Sequence, residues 1–108
     1  MATGSNDTSR LSGKTLRFHF SDGPMQGKDF DHTFRGDKVE WGAAGGDKTT
    51  TSDGTLVRLD DDCYVGSYMG TNGYTLTAAM NLATGELHAF ASDGKNWSAH
   101  NGRVEMLA

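Results

Sequence analysis

The chain is 108 residues long, with 15 glycines, one proline, one cysteine and a formal net charge of −4 at pH 7. At that length one domain is expected, burying roughly 60–70% of the unfolded chain's surface, and the glycine-rich, proline-poor composition fits short strands and turns better than a bundle of helices. Basic residues scattered from Arg10 to Arg103 without a cluster exclude a nucleic-acid footprint, no apolar run reaches the roughly 18 residues of a membrane span, and a lone Cys63 excludes an internal disulfide or a thiolate metal cage.

Residues 1–12 are small, polar and aperiodic and read as a disordered leader, leaving 13–108 as a single domain. The opening MATGSNDTSR has no apolar stretch of a secretory signal, so the expected location is cytoplasmic. KTLRFHF at 14–20 alternates strictly, with Leu16, Phe18 and Phe20 on one face. SDGPMQG at 21–27 is expected to turn or to form a short lid. A strand over 29–35 sets Phe30, His32 and Phe34 on one face, and Gly36-Asp37 closes a hairpin onto KVEW, where Val39 and Trp41 share a face that excludes Lys38 and Glu40.

GAAGGDKTTTSDG, 42–54, is the longest irregular stretch and a candidate lid, although 48–52 can pair as an extended edge strand. A strand over 55–59 ends at the acidic run Asp60–Asp62, which reads as a solvated turn. In 63–69 Tyr64, Gly66 and Tyr68 oppose Cys63, Val65, Ser67 and Met69. In 74–82 Tyr74, Leu76, Ala78, Met80 and Leu82 mark the inner face. Ala83-Thr84-Gly85 turns the chain into 86–92, Ser92–Lys95 turns it again, and 97–100 with 103–107 supply the closing strand or strands. Strand-like runs joined by breaks too short for a helix make an antiparallel meander. A meander of about eight strands closes most readily into an all-β, up-and-down barrel.

Three stretches carry a resemblance: GKTLRFHFSDGPMQGKDFDHTFRGDKVEW, CYVGSYMGTNGYTLTAAMNLATGELHAFAS and DGKNWSAHNGRVE. Together they resemble the MoaF-like domain family, small barrels of the calycin type related in shape to lipocalins and to phenolic acid decarboxylases. The most specific parts are Phe-Asp-His-Thr-Phe at 30–34 and Ser-Tyr-Met at 67–69, followed by Tyr-Thr-Leu-Thr. The resemblance spans most of the chain from Gly13 and implies a calycin or lipocalin-like barrel; the family name comes from an association with molybdenum cofactor biosynthesis. Phenolic acid decarboxylases hold a carboxylate with tyrosines beside an arginine and a glutamate. This chain has Tyr64, Tyr68, Arg35 and Glu40 as residue types, in another order and spacing.

In such a barrel the inward polar groups decide the chemistry. His32, between Phe30 and Phe34, is expected to point inward, where desolvation keeps an imidazole neutral and able to bind or move a proton; the plain structural alternative is a histidine bonded to a buried backbone or hydroxyl group. Tyr64, Tyr68 and Tyr74 belong to faces that converge on the interior and can clamp a carboxylate or phenol. Phe18, Phe30, Phe34, Trp41 and Met80 are the expected apolar wall, whereas Trp97 reads as core filling and Cys63 as a packed thiol. His19, His88 and His100 lie on separate strands without metal-ligand spacing, and neither a phosphate loop nor a nucleophile elbow is present.

The leading expectation is a barrel that binds a small organic ligand through Phe18, Phe30, His32, Phe34, Trp41, Tyr64, Tyr68 and Met80, with no cofactor, metal, nucleic acid or membrane. The alternative is a cofactor-free lyase or isomerase of decarboxylase type in the same pocket, with His32 as proton carrier assisted by Tyr68 or Glu40. A third reading is a filled barrel that acts through its surface or as a homodimer, meeting through Val65 and Met69.

Overall fold

The structure is a computed structural model that describes residues 8–107. Eight antiparallel strands form one closed barrel in chain order: β1 Thr15–Phe20, β2 Asp29–Arg35, β3 Lys38–Ala43, β4 Thr50–Arg58, β5 Cys63–Met69, β6 Thr75–Asn81, β7 Glu86–Ser92 and β8 Trp97–Met106. Closure comes from β8 pairing with β1, Val104 opposite Phe18, so none of these eight strands is left with an unpaired edge. A short 3-10 turn, Thr71–Gly73, links β5 to β6. No helix among the described residues is long and apolar enough to cross a membrane.

The two-residue period of a strand sorts the side chains. In β1 the residues alternate between half-buried and buried, with Leu16, Phe18 and Phe20 inside; in β6 Leu76, Ala78 and Met80 are inside. Two segments differ from the sequence expectation. The runs 48–52 and 55–59 are parts of one strand, β4, so the first is not a free edge and the irregular stretch shrinks to 44–49. Gly54 is the reason. It lies in mid-strand opposite Tyr68, where a Cβ would stand 2.5 Å from the Ser67 carbonyl oxygen, so this glycine permits close strand packing and does not mark a turn. Likewise the two closing segments are a single ten-residue β8.

The expected leader is partly structured. Residues 1–7 lie outside the described residues, but 8–13 form consecutive turns and Leu11 is fully buried in the core cluster. Its amide donates to the Thr8 carbonyl, and the Lys14 amide returns to the Leu11 carbonyl, folding the segment under one end of the barrel. An apolar side chain that stoppers the end of a small barrel gains about 1.5–3 kcal/mol from burial, which outweighs the local polarity on which the leader reading rested.

Candidate functional site

One end of the barrel is stoppered from within by Leu11, and at the other buried polar side chains border an interior cavity. At the second end, alternation in β2 turns His32 inward between Phe30 and Phe34, and the ring is only 1% exposed. Phe18 from β1 lies under it as a stacked partner, ring centroids 4.0 Å apart. From across the barrel, β5 brings Tyr68, whose hydroxyl shares a 2.9 Å hydrogen bond with His32 Nε2. Trp41, opposite His32 in the β2–β3 register, packs on the Tyr68 ring at 5.4 Å and donates its indole N–H to Ser52 Oγ at 3.0 Å.

Burial controls the protonation of this pair. Desolvation pushes His32 down to about 3, against weaker opposition from the charge of Asp31 and from the Phe30 backbone. Desolvation raises the Tyr68 phenol above its ordinary value, with a smaller push from Tyr74. At neutral pH both groups are therefore uncharged. His32 Nδ1 is buried and, although the Phe30 backbone lies near enough to act on the ring, makes no well-formed hydrogen bond among the described residues.

Above the pair lies a cavity of about 30 Å³, walled by Phe20, Phe30, Trp41 and Leu76 and roofed by Met25 and Tyr74. It has room for a water or two and not for an organic molecule. On the far side of Met25 and Tyr74 a groove of about 250 Å³ runs along the rim past Ala91, Trp97, Ser98 and His100. His100 is 2% exposed, shares a 2.9 Å hydrogen bond between Nε2 and Ser98 Oγ, and meets the Phe20 ring edge-on at 5.7 Å. Burial lowers its pKa against a smaller opposing pull from Asp22. Two buried neutral histidines, each bonded to one hydroxyl, thus flank the same two roof residues.

Tyr74 in the roof immediately precedes β6, and Met25 belongs to the loop at 21–28. Asp22 anchors it to β8: its carboxylate accepts the Asn101 amide at 2.7 Å and the Asn101 side-chain amide at 3.0 Å, which holds the carboxyl below its usual range. Gly23, at φ +77°, lies directly over His100, where a Cβ would stand 2.8 Å from Nδ1 and 2.6 Å from the Ala99 carbonyl oxygen. Only glycine lets the loop come down this far.

Of the residues expected in the site, Phe30, His32, Trp41 and Tyr68 converge here, with Phe18 beneath them and Tyr74 above. Phe34, Tyr64 and Met80 do not join them; they fill the stoppered end of the barrel. Tyr64 and Tyr68 share a face of β5, but four residues of strand separate their Cα atoms by about 13 Å, so a common face is not a common site. Glu40 is corrected as a catalytic candidate: it points outward from β3, where its carboxylate accepts from Arg35 Nε at 2.9 Å. The decarboxylase-like set of Tyr64, Tyr68, Arg35 and Glu40 is therefore dispersed over both ends and both faces. Trp97 is not core filling; it is 69% exposed and stacks on Phe90, ring centroids 6.1 Å apart. The stretch at 44–49 folds back over the outside of β2, with the Gly45 amide donating to Asp31 Oδ2 at 3.3 Å, so it does not cover the cavity, and Met25 of the loop at 21–28 with Tyr74 does so instead. Among the described residues no group of three or more His, Cys, Asp or Glu side chains is placed to hold a metal ion.

Met25, Ser98 and His100 were not foreseen as site residues. The alternation Ser98, His100, Val104 along one face of β8 was the available signal for the last two, hidden by reading Asn101-Gly102 as a break.

The profile of the MoaF N-terminal domain matches residues 4–96. The chain belongs to this family. Most of the site of this MoaF-domain barrel, from Phe30 through Tyr68 to Ala91, lies inside the matched stretch, whereas β8 with Ser98 and His100 follows it. No curated protein matches the chain. Among solved structures, a crystal structure described as a "putative beta-lactamase from Burkholderia vietnamiensis" is similar at a TM-score of 0.72 and 14% sequence identity, covering 90% of this chain and 95% of the other. At that identity the likeness carries the fold of the MoaF-domain barrel and nothing of its chemistry.

Proposed function

We propose that the protein binds a small organic molecule at the open end of the barrel, oriented by Tyr68 and His32 below and by Ser98 and His100 at the rim. One observation supports this above the others: a buried, uncharged Tyr68–His32 pair faces a small cavity whose roof, Met25 and Tyr74, also bounds a groove of ligand size. Withdrawal of the Met25 side chain, with its three rotatable bonds, joins the two spaces. The ligand is thus expected to enter by displacing Met25. The single Cys63, which leaves no intrachain disulfide, fits a cytoplasmic setting.

The lyase or isomerase alternative ranks below binding. An imidazole whose pKa is driven to about 3 is a weak base near neutrality, and Glu40 is not at hand to assist it. Thermal unfolding with a panel of phenols, indoles and aromatic amides tests the binding reading. Several members are expected to raise Tm, and the gain should shrink in Tyr68→Phe; a panel without effect, or an unaltered gain in that variant, overturns it.

A second reading, self-association, has its own support. The exposed Phe90–Trp97 stack and the exposed Met69 lie on the outer face of β5–β8, where Val65, Ser67, Thr75, Thr77, Ala79, Ser92 and Ala99 complete a patch without Asp, Glu, Lys or Arg. Apolar, charge-depleted and aromatic surface is what interface centres use. Sedimentation of wild type against Trp97→Glu tests it: a dimer that the variant dissolves supports the reading, and a wild-type monomer at high concentration ends it.

A further inference from the structure

We propose that the site at the open end selects a neutral, flat aromatic ligand bearing a hydrogen-bonding group, and rejects the anionic analogue of the same skeleton. This rests on the binding reading above and specifies its ligand class.

The walls carry the case. Around the inner cavity, Phe20, Phe30, Trp41 and Tyr74 present rings, and at the outer end of the groove Trp97 presents another. Such walls suit a planar ring system, which gains from offset or edge contacts at centroid separations of about 4.5–7 Å. The neutral polar groups among them include the hydroxyls of Tyr68 and Ser98, each already bonded to a histidine, those of Tyr74 and Ser92, and the side-chain amide of Asn96.

No Lys or Arg lines either space among the described residues. His32 and His100 do not substitute for a cation, because burial keeps both rings neutral at physiological pH. The one formally charged residue in the wall is Asp93, of the opposite sign to what an anion needs. Its carboxylate is held ionised by the Lys95 and Asn96 amides at 2.9 and 2.7 Å. A carboxylate or sulfonate entering here gives up water for neutral hydroxyls beside a fixed negative charge, and nothing in the wall offsets that loss. A neutral ligand meets no such penalty. Of the two groups expected from the sequence for a tyrosine clamp, a carboxylate or a phenol, the wall favours the uncharged phenol type.

The test compares phenylnaphthylamine with anilinonaphthalene sulfonate, two environment-sensitive fluorophores that share a skeleton and differ by one sulfonate, titrated into the wild-type protein at neutral pH. The neutral probe is expected to bind at least about tenfold more tightly. Ala91→Trp, which fills the groove, should weaken it, and Ser92→Lys, which adds a cation at the groove, should bring the sulfonate up toward the neutral probe. Equal affinity, or preference for the sulfonate, overturns the ligand class while leaving a binding site in place. Binding of neither probe, or neutral-probe binding untouched in a folded Ala91→Trp, overturns the site itself. The wild-type comparison decides the ligand class even if a variant fails to fold.

Discussion

The two ends of this barrel use the same kinds of residue to opposite ends. At the stoppered end Leu11, Leu16, Phe34, Val39, Leu56, Tyr64, Met80, Leu87 and Val104 are all at most 5% exposed, and an N-terminal turn is spent on closing the opening. At the open end Phe30, Trp41 and Met25 are only half-buried, two histidines are held neutral among hydroxyls, and space remains under a loop anchored by Asp22. A barrel of this size has too little interior for both a full core and a ligand. The contrast shows how the chain divides it: stability at one end, recognition at the other.

The largest effect that breaks this division is expected from Phe34→Ala. Phe34 fills the stoppered end, packed over Gly66, and its loss leaves a cavity there. A cost of about 3–5 kcal/mol is expected, read as a fall in the urea midpoint at unchanged m-value. A cost under about 1 kcal/mol would mean that this end is as loosely packed as the other.

Acidification acts on the open end instead. His32 has a folded pKa of about 3 against an unfolded value near 6.5. Below 6.5 the unfolded chain takes up a proton that the folded chain refuses, so the stabilisation is complete above about 6.5 and declines as the pH falls toward 3. His32 alone gives a slope approaching 1.4 kcal/mol per pH unit, or roughly 2 kcal/mol between pH 6.5 and 5. His100, lowered by burial, adds in the same direction. His88 is raised by its bonds to Glu86 and Asn101 and has the opposite sign, its contribution being lost as the pH rises through its folded value. The lowered carboxylates Asp22, Asp31, Asp53 and Asp93 begin to matter only near 3.8 and below. Urea unfolding at stepped pH should therefore show a steep limb in wild type and a shallower one in His32→Phe; equal slopes would mean that His32 is solvated.

How far these two ends could be read in the sequence depended on the kind of signal. The period-two pattern gave β1, β2 and β6 nearly residue for residue, and the Phe-x-His-x-Phe alternation sent His32 inward as found. The fold class followed from the turns. What failed was long-range. Glycines in Asp-Gly and Asn-Gly pairs were read as breaks, yet Gly54 pairs with Tyr68 within β4, and Gly102 within β8 pairs with both Leu87 and Phe20. No local pattern says that Tyr68 rather than Tyr64 reaches His32; that depends on the stagger of strands across a closed barrel. Met25 in the roof and the exposed Trp97 depend on loop closure and on strand facing in the same way.

A smaller effect is expected from Tyr68→Phe. It removes the partner of His32 Nε2 and leaves both ring nitrogens buried without a bond, at a cost of about 1–2 kcal/mol. The fold should persist, since Phe fills the same space against Trp41. An unchanged stability would show that water replaces the hydroxyl at no cost, and that the pair is not tight.

The smallest change in stability and the sharpest test of the contrast is Met25→Ala. A fully buried methionine costs about 2–5 kcal/mol on truncation, but Met25 is half-buried on a loop over open space, so a loss under about 1 kcal/mol is expected. Binding should move the other way. If Met25 must leave before a ligand enters, its removal spares the ligand that displacement and raises affinity and association rate together. Stopped-flow mixing with phenylnaphthylamine separates the two: a faster on-rate with a similar off-rate identifies Met25 as the barrier. If truncation weakens binding mainly through a faster off-rate, the side chain is instead part of the wall that holds the ligand, and the open end is a preformed groove rather than a roofed one.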